Sequence, residues 1–137
     1  MGVLARLFGA GYDSDDDPLL RRYRHLLGTA PIESIEQAHA EAFRDLPESE
    51  RAAIYEELSR GAGTGERPLS SEPATLARSA SRAERRVPGS IEKVLRSADG
   101  RGGFGGALID QVVGHVARSP LVSAFLPWNA SRLLDQR

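Results

Sequence analysis

The stretch that decides the fold is TAPIESIEQAHAEAFRDLPESERAAIYEELSR, residues Thr29 to Arg60. One face of a 3.6-residue helix runs through its first half and consists of Ile32, Ile35, Ala38, His39, Ala42, Phe43 and Leu46. Pro47 interrupts this pattern, and a second periodic segment follows with Ile54, Tyr55 and Leu58. The stretch therefore predicts two helices, at about 31–45 and 47–60. Because their connection is so short, we expect them to be adjacent, as an antiparallel hairpin or as a corner.

Helix signals continue on both sides of this stretch. Asp17 and Pro18 suit the cap and the first position of a helix over 18–27, which Gly28 ends. The acidic run Asp13–Asp17 also looks like the start of a calcium loop, but Pro18 stands where that loop needs Gly. A fourth helix is predicted over 73–86, and a short fifth helix after Ser90. The predicted fold class is all-α, a small bundle of about five short helices with a linker-tethered C-terminal helical segment.

The composition of the chain changes along its length. We expect a flexible apolar and acidic head over 1–17, the helical domain over 18–97, a Gly-rich linker over 98–106 and amphipathic C-terminal helices over 107–137. The wide apolar face of the last segment consists of Leu108, Ile109, Val112, Val113 and Val116. Such a face has to be buried, either on the domain itself, on a second copy, on another protein or on a membrane.

The residue types that carry most enzyme chemistry are scarce or scattered. The chain has 137 residues, no cysteine and a net charge of −1. Its three histidines lie in separate predicted helices without a zinc-binding spacing, and His39 on the apolar stripe is typical of a core histidine with a hydrogen bond. The glycines of 100–106 lack the lysine of a phosphate-binding loop, and no nucleophile motif is present. We therefore predict no catalytic residue, no metal ligand and no cofactor.

Three functions stay open. The leading hypothesis is a cytoplasmic, non-enzymatic helical interaction or adaptor module, which binds a protein partner or a second copy through the C-terminal helix. The alternative is a membrane-peripheral protein, whose other membrane contacts would be Val3, Leu4, Leu7, Phe8, Phe125 and Trp128. The third is a nucleic-acid binder that uses the basic face of helix four, Arg78, Arg82, Arg85 and Arg86. The negative net charge and the absence of an aromatic residue among these arginines disfavour it, and we expect them to pair with Glu48, Glu50, Glu56 and Glu57.

Two segments also carry a resemblance to a known group of proteins. RYRHLLGTAPIESIEQAHAEAFRDLPESERAAIYEEL, residues 22–58, and LARSASRAERRVPGSIEKVL, residues 76–95, resemble a group of small actinobacterial proteins over about residues 1–126. Members are mostly labelled hypothetical, and some carry the label "cation-transporting ATPase". A P-type pump requires a phosphorylated aspartate in a DKTGT-like context and several spanning helices, and this sequence contains neither. The resemblance thus implies no catalytic residues.

Overall fold

The computed structural model describes residues 17–61 and 67–125, and these residues form helices and no strand. The helices are α1 (Pro18–Thr29), α2 (Ile32–Arg44), α3 (Glu48–Gly61), α4 (Pro73–Arg86), α5 (Ser90–Gly102), α6 (Ala107–Ala117) and α7 (Pro120–Ser123). The prediction of a small all-α bundle is confirmed. The first 16 residues and residues 126–137 of the predicted head and C-terminal segment lie outside the described part of the chain.

The first of the two helices predicted from the deciding stretch is α2, and it lies at the centre of the bundle. It packs against α4, α6 and α7, while α1 packs against α6 and α3 packs against α5. The predicted stripe of α2 faces the core, since Ile35, Ala38, His39, Ala42 and Phe43 are buried. Small residues on the facing side of α4, Ala77 and Ala80, allow the two helices to approach closely.

The start of α1 follows the capping signal of the sequence. The Asp17 carboxylate accepts a hydrogen bond of 3.0 Å from the backbone N–H of Leu19, and Pro18 occupies the first helical turn. The role of Asp17 as a helix cap is therefore confirmed. The neighbouring acidic residues 13–16 lie outside the described part of the chain.

The helices α2 and α3 meet at a corner and not as a hairpin. The apolar face of α2 is taken up by α4 and α6, so α3 turns away from α2 and packs mainly on α5. Arg51 stabilises this corner by donating a hydrogen bond of 2.7 Å to the backbone carbonyl of Leu46.

The predicted Gly-rich linker is an ordered corner in the structure. Residues up to Gly102 continue α5, and Ala98 and Asp99 are buried. Gly103, Gly105 and Gly106 have φ values of +71°, +65° and +90°, which L side chains rarely adopt. These glycines therefore allow a tight reversal of the chain, and α6 packs back on α1, α2 and α5. The C-terminal helix is thus part of the bundle and is not tethered beside it.

Asp99 fixes this reversal. One carboxylate oxygen accepts a hydrogen bond from the backbone N–H of Gly106 and the other from that of Ile109, each at 2.9 Å. The side chain therefore caps the first turn of α6 and places a negative charge at the positive end of its dipole.

Replacing Asp99 with Ala is expected to lower the free energy of unfolding by about 1–2 kcal/mol, the usual range for a lost helix cap. A buried N–H group of Ile109 and a part-buried one of Gly106 would lose their acceptor, and the favourable charge would disappear. Urea denaturation followed by circular dichroism measures the loss. Asp99→Asn keeps the shape and one acceptor oxygen, so it should cost less; equal midpoints for wild type and Asp99→Ala would refute the capping role.

Candidate interaction groove

The five residues predicted to contact a partner lie in the core of this chain. Leu108, Ile109, Val112, Val113 and Val116 are each between 0% and 8% exposed. Their helix is covered by α1, α2 and α5. Of the four destinations open to the apolar face, the structure shows the first, burial on the domain itself. This face is therefore not accessible to a partner while the bundle is folded.

The arginines predicted to form one basic face are all exposed on α4. Arg82 and Arg86 line a groove between α3, α4 and α5, whereas Arg85 lines a second cavity next to α1 and α2. Among the predicted partners on α3, Glu57 forms an ion pair with Arg101 of α5. Two of the four arginines, Arg82 and Arg86, therefore line the groove, and the nucleic-acid hypothesis stays a prediction.

The groove has a volume of about 430 Å³ and lies where the last turns of α3 and α4 meet the first half of α5. Its apolar surface comes from Leu58, Ala83, Val87, Pro88 and Val94. Its charged lining comprises Arg60, Arg82, Arg86, Lys93 and Glu57. The site thus combines apolar surface with an excess of positive charge in a chain whose net charge is −1.

A rigid turn between α4 and α5 shapes one wall of the groove. Gly89 adopts a φ of +95°, and the Glu84 carboxylate accepts hydrogen bonds from the backbone N–H groups of Gly89 at 2.8 Å and Ile91 at 3.0 Å. The Ser90 hydroxyl donates to the carbonyl of Val87 at 2.6 Å. Because α4 ends at Arg86, Val87 leaves the helix and its side chain is 57% exposed. Val87 has the sequence spacing of an inward-facing residue of α4, after Leu76, Ala80 and Ala83, but it lies beyond the end of the helix.

The basic residues of the groove differ in how their charge affects the helix that carries them. Arg60 and Arg86 lie in the last turns of α3 and α4, where a positive charge stabilises the helix dipole. Lys93 lies in the first turn of α5, where a positive charge opposes the dipole. Helix stability therefore does not explain Lys93, and a binding role offers a reason for it.

The second cavity, of about 450 Å³, has charged groups that serve the fold itself. Arg24 of α1 makes a two-pronged contact with Glu92 of α5, at 2.9 Å from its Nε and 2.8 Å from a terminal nitrogen. Hydrogen bonding from Arg24, more than any other interaction, lowers the pKa of Glu92. Glu84 on the same wall already caps α5. We interpret this cavity as a gap between packed helices and not as a binding site.

The histidines do not assemble a reactive site in the described part of the chain. His39 is fully buried, and its Nδ1 lies 2.8 Å from the carbonyl oxygen of Ile35, which can only accept. Nδ1 therefore carries the proton, and Nε2 accepts a hydrogen bond of 2.8 Å from the Tyr23 hydroxyl. Across residues 17–61 and 67–125, no group of three His, Asp or Glu side chains could hold a metal ion. None of the helices in these two ranges is long and apolar enough to cross a membrane.

Comparisons with protein-family models, with curated proteins and with solved structures found no match, and the resemblance to small actinobacterial proteins stays a prediction.

Proposed function

We propose that this chain is a non-enzymatic protein-interaction module whose contact surface is the groove between α3, α4 and α5. The observation that carries the proposal is the combination of exposed Val87 with basic residues around a concave, partly apolar surface. Interfaces commonly bury an apolar centre inside a polar rim. The occupant we propose is a peptide segment of a partner protein.

The groove favours a protein segment over nucleic acid. Across residues 17–61 and 67–125, no aromatic side chain on which a base could stack lines the groove. The basic residues are interspersed with Val87, Pro88 and Val94, which offer nothing to a phosphate backbone. An apolar side chain of a peptide would gain from contact with these three residues.

The burial of α6 also weakens the membrane alternative. That alternative needs the apolar face of the C-terminal helix in the lipid interface, together with residues near both termini. The structure buries the face of α6 in the bundle. Phe125 is 38% exposed, and the other residues assigned to the membrane contact, Val3, Leu4, Leu7, Phe8 and Trp128, lie outside the described ranges.

Selection from a displayed library of short random peptides against the full-length chain tests the proposal. We expect enriched peptides whose binding falls at least about tenfold, or about 1.4 kcal/mol, when Ser97→Trp fills the groove. Ser97 is exposed and lines the groove, so the substitution should leave the core intact.

Ala52→Trp is the matched control, since Ala52 is exposed on α3 and does not line the groove. It should retain the enriched peptides. Failure to enrich any peptide would overturn the proposal. Peptides that bind wild type and Ser97→Trp equally would place the contact elsewhere.

A further inference from the structure

The charge of the groove identifies the chemistry of its occupant. Among the described residues, Arg60, Arg82 and Lys93 line it together with one carboxylate, Glu57, which is already paired with Arg101. Resting on the proposed function, we infer that the groove binds an acidic peptide segment, in which at least two carboxylates flank apolar side chains.

The positions of the basic residues support a peptide with spaced carboxylates. Arg60, Arg82 and Lys93 come from three different helices, α3, α4 and α5, and line the same cavity. Val87 and Val94 line it as well, so the groove offers both apolar and basic contacts. A single small anion would use the charges and leave the apolar surface empty, whereas a peptide with Asp or Glu beside Leu or Val would use both.

The position of Lys93 gives the inference an independent reason. Lys93 adds positive charge near the positive end of the α5 dipole, and the Glu84 carboxylate occupies the backbone N–H groups there. A carboxylate of a partner would pair with Lys93 and offset its positive charge. It would bind to the side chains around the groove and would not need to displace Glu84.

The expected gain from charge is moderate, because these pairs lie at the surface. An exposed ion pair strengthens an interaction by about twofold, so three pairs predict a preference of about tenfold. Salt should reduce this preference, since the screening length falls as ionic strength rises. Contact with Val87 and Val94 should persist at high salt.

Two matched fluorescent peptides test the inference with the full-length chain. Both contain the same Leu and Val residues; one carries Asp and Glu, and the other carries Asn and Gln at the same positions. Fluorescence anisotropy should show about tenfold tighter binding of the acidic peptide at about 0.1 M salt, and most of this preference should be lost at about 0.5 M salt. Equal affinity of the two peptides would overturn the inference.

A pair of double variants separates local charge from net charge. Arg82→Gln with Lys93→Gln should remove most of the preference for the acidic peptide. Arg44→Gln with Arg78→Gln changes the net charge equally at exposed positions outside the groove, and it should retain the preference. Equal losses in both double variants would show a nonspecific charge effect and would refute the inference.

The results also distinguish this inference from the proposed function. Library peptides that are blocked by Ser97→Trp but show no acidic bias would refute the inference and leave the interaction module standing. Failure to enrich any peptide would remove both. Vesicles with anionic lipid, or duplex DNA, that compete with the acidic peptide at equal charge concentration would also overturn the inference.

Discussion

Replacing Val112 with Asp is expected to destabilise the whole bundle strongly, and not merely to release one helix from a partner. Val112 is 0% exposed, and its helix is covered by α1, α2 and α5. The new carboxylate would have no positive partner in the apolar core, and an uncompensated buried charge costs about 3–5 kcal/mol. A loss of this size is a large part of the about 5–15 kcal/mol that stabilises a typical domain.

Urea denaturation followed by the helical signal of circular dichroism measures this effect. Gln111→Asp is the matched control, because Gln111 is the preceding residue on α6 and is exposed. As a surface substitution it should change the free energy of unfolding by less than about 1 kcal/mol. If Val112→Asp kept the stability of the wild type and lost only a binding activity, the packing of α6 in the core would be refuted.

The helices of the first two thirds of the chain could be predicted closely because their signals are local. The predicted ranges 31–45, 47–60 and 73–86 compare with Ile32–Arg44, Glu48–Gly61 and Pro73–Arg86 in the structure. Proline at the start of a helix and apolar residues at helical spacing act within a few residues of sequence. Such features can be recognised without knowing which helices pack together.

The corner before α6 could not be predicted from local composition. A short segment with five glycines, such as residues 100–106, is typical of a flexible linker. The structure depends instead on a contact between Asp99 and the backbone of Ile109, ten positions later. In the sequence, Asp99 is recognisable only as a residue near the end of the fifth helix. The folded chain shows that its carboxylate caps the helix that follows.

The groove was missed because it is built from three helices. Arg82 and Arg86 were singled out from the sequence, but as part of a continuous basic face that includes Arg85. The groove takes only two of these arginines, and its other basic residues, Arg60 and Lys93, come from other helices. The exposed Val87 had the spacing of a core residue. The basic residues were the available signal, and the tertiary structure was needed to group them.

The buried pair of His39 and Tyr23 should make the fold sensitive to mild acid. Burial, with a smaller effect from the charge of His115, lowers the pKa of His39 from 6.5 to about 4, although the hydrogen bond to Ile35 acts in the opposite direction. Burial also raises the pKa of Tyr23 well above its ordinary value, so its hydroxyl remains a donor to Nε2. The folded state therefore holds His39 neutral.

The sign of the pH dependence follows from this lowered pKa. Between about pH 6.5 and about pH 4 the unfolded chain binds a proton at His39 more readily than the folded chain does, so stability falls as the pH falls. The full shift is equivalent to about 3 kcal/mol, and about 2 kcal/mol of it should be lost between about pH 7.5 and about pH 5. Urea midpoints across this range measure the loss.

Two histidine variants assign this loss to one residue. His39→Gln cannot titrate, so its stability should be lower at neutral pH, where it disturbs the core, but should change much less between the two pH values. His25→Gln, on half-buried His25 of α1, leaves His39 in place and should keep the pH dependence of the wild type. If His39→Gln lost as much stability on acidification as the wild type, another group would be responsible. A pH dependence of stability that His39→Gln removes and His25→Gln keeps would therefore assign the loss to the neutral imidazole of His39 in the core.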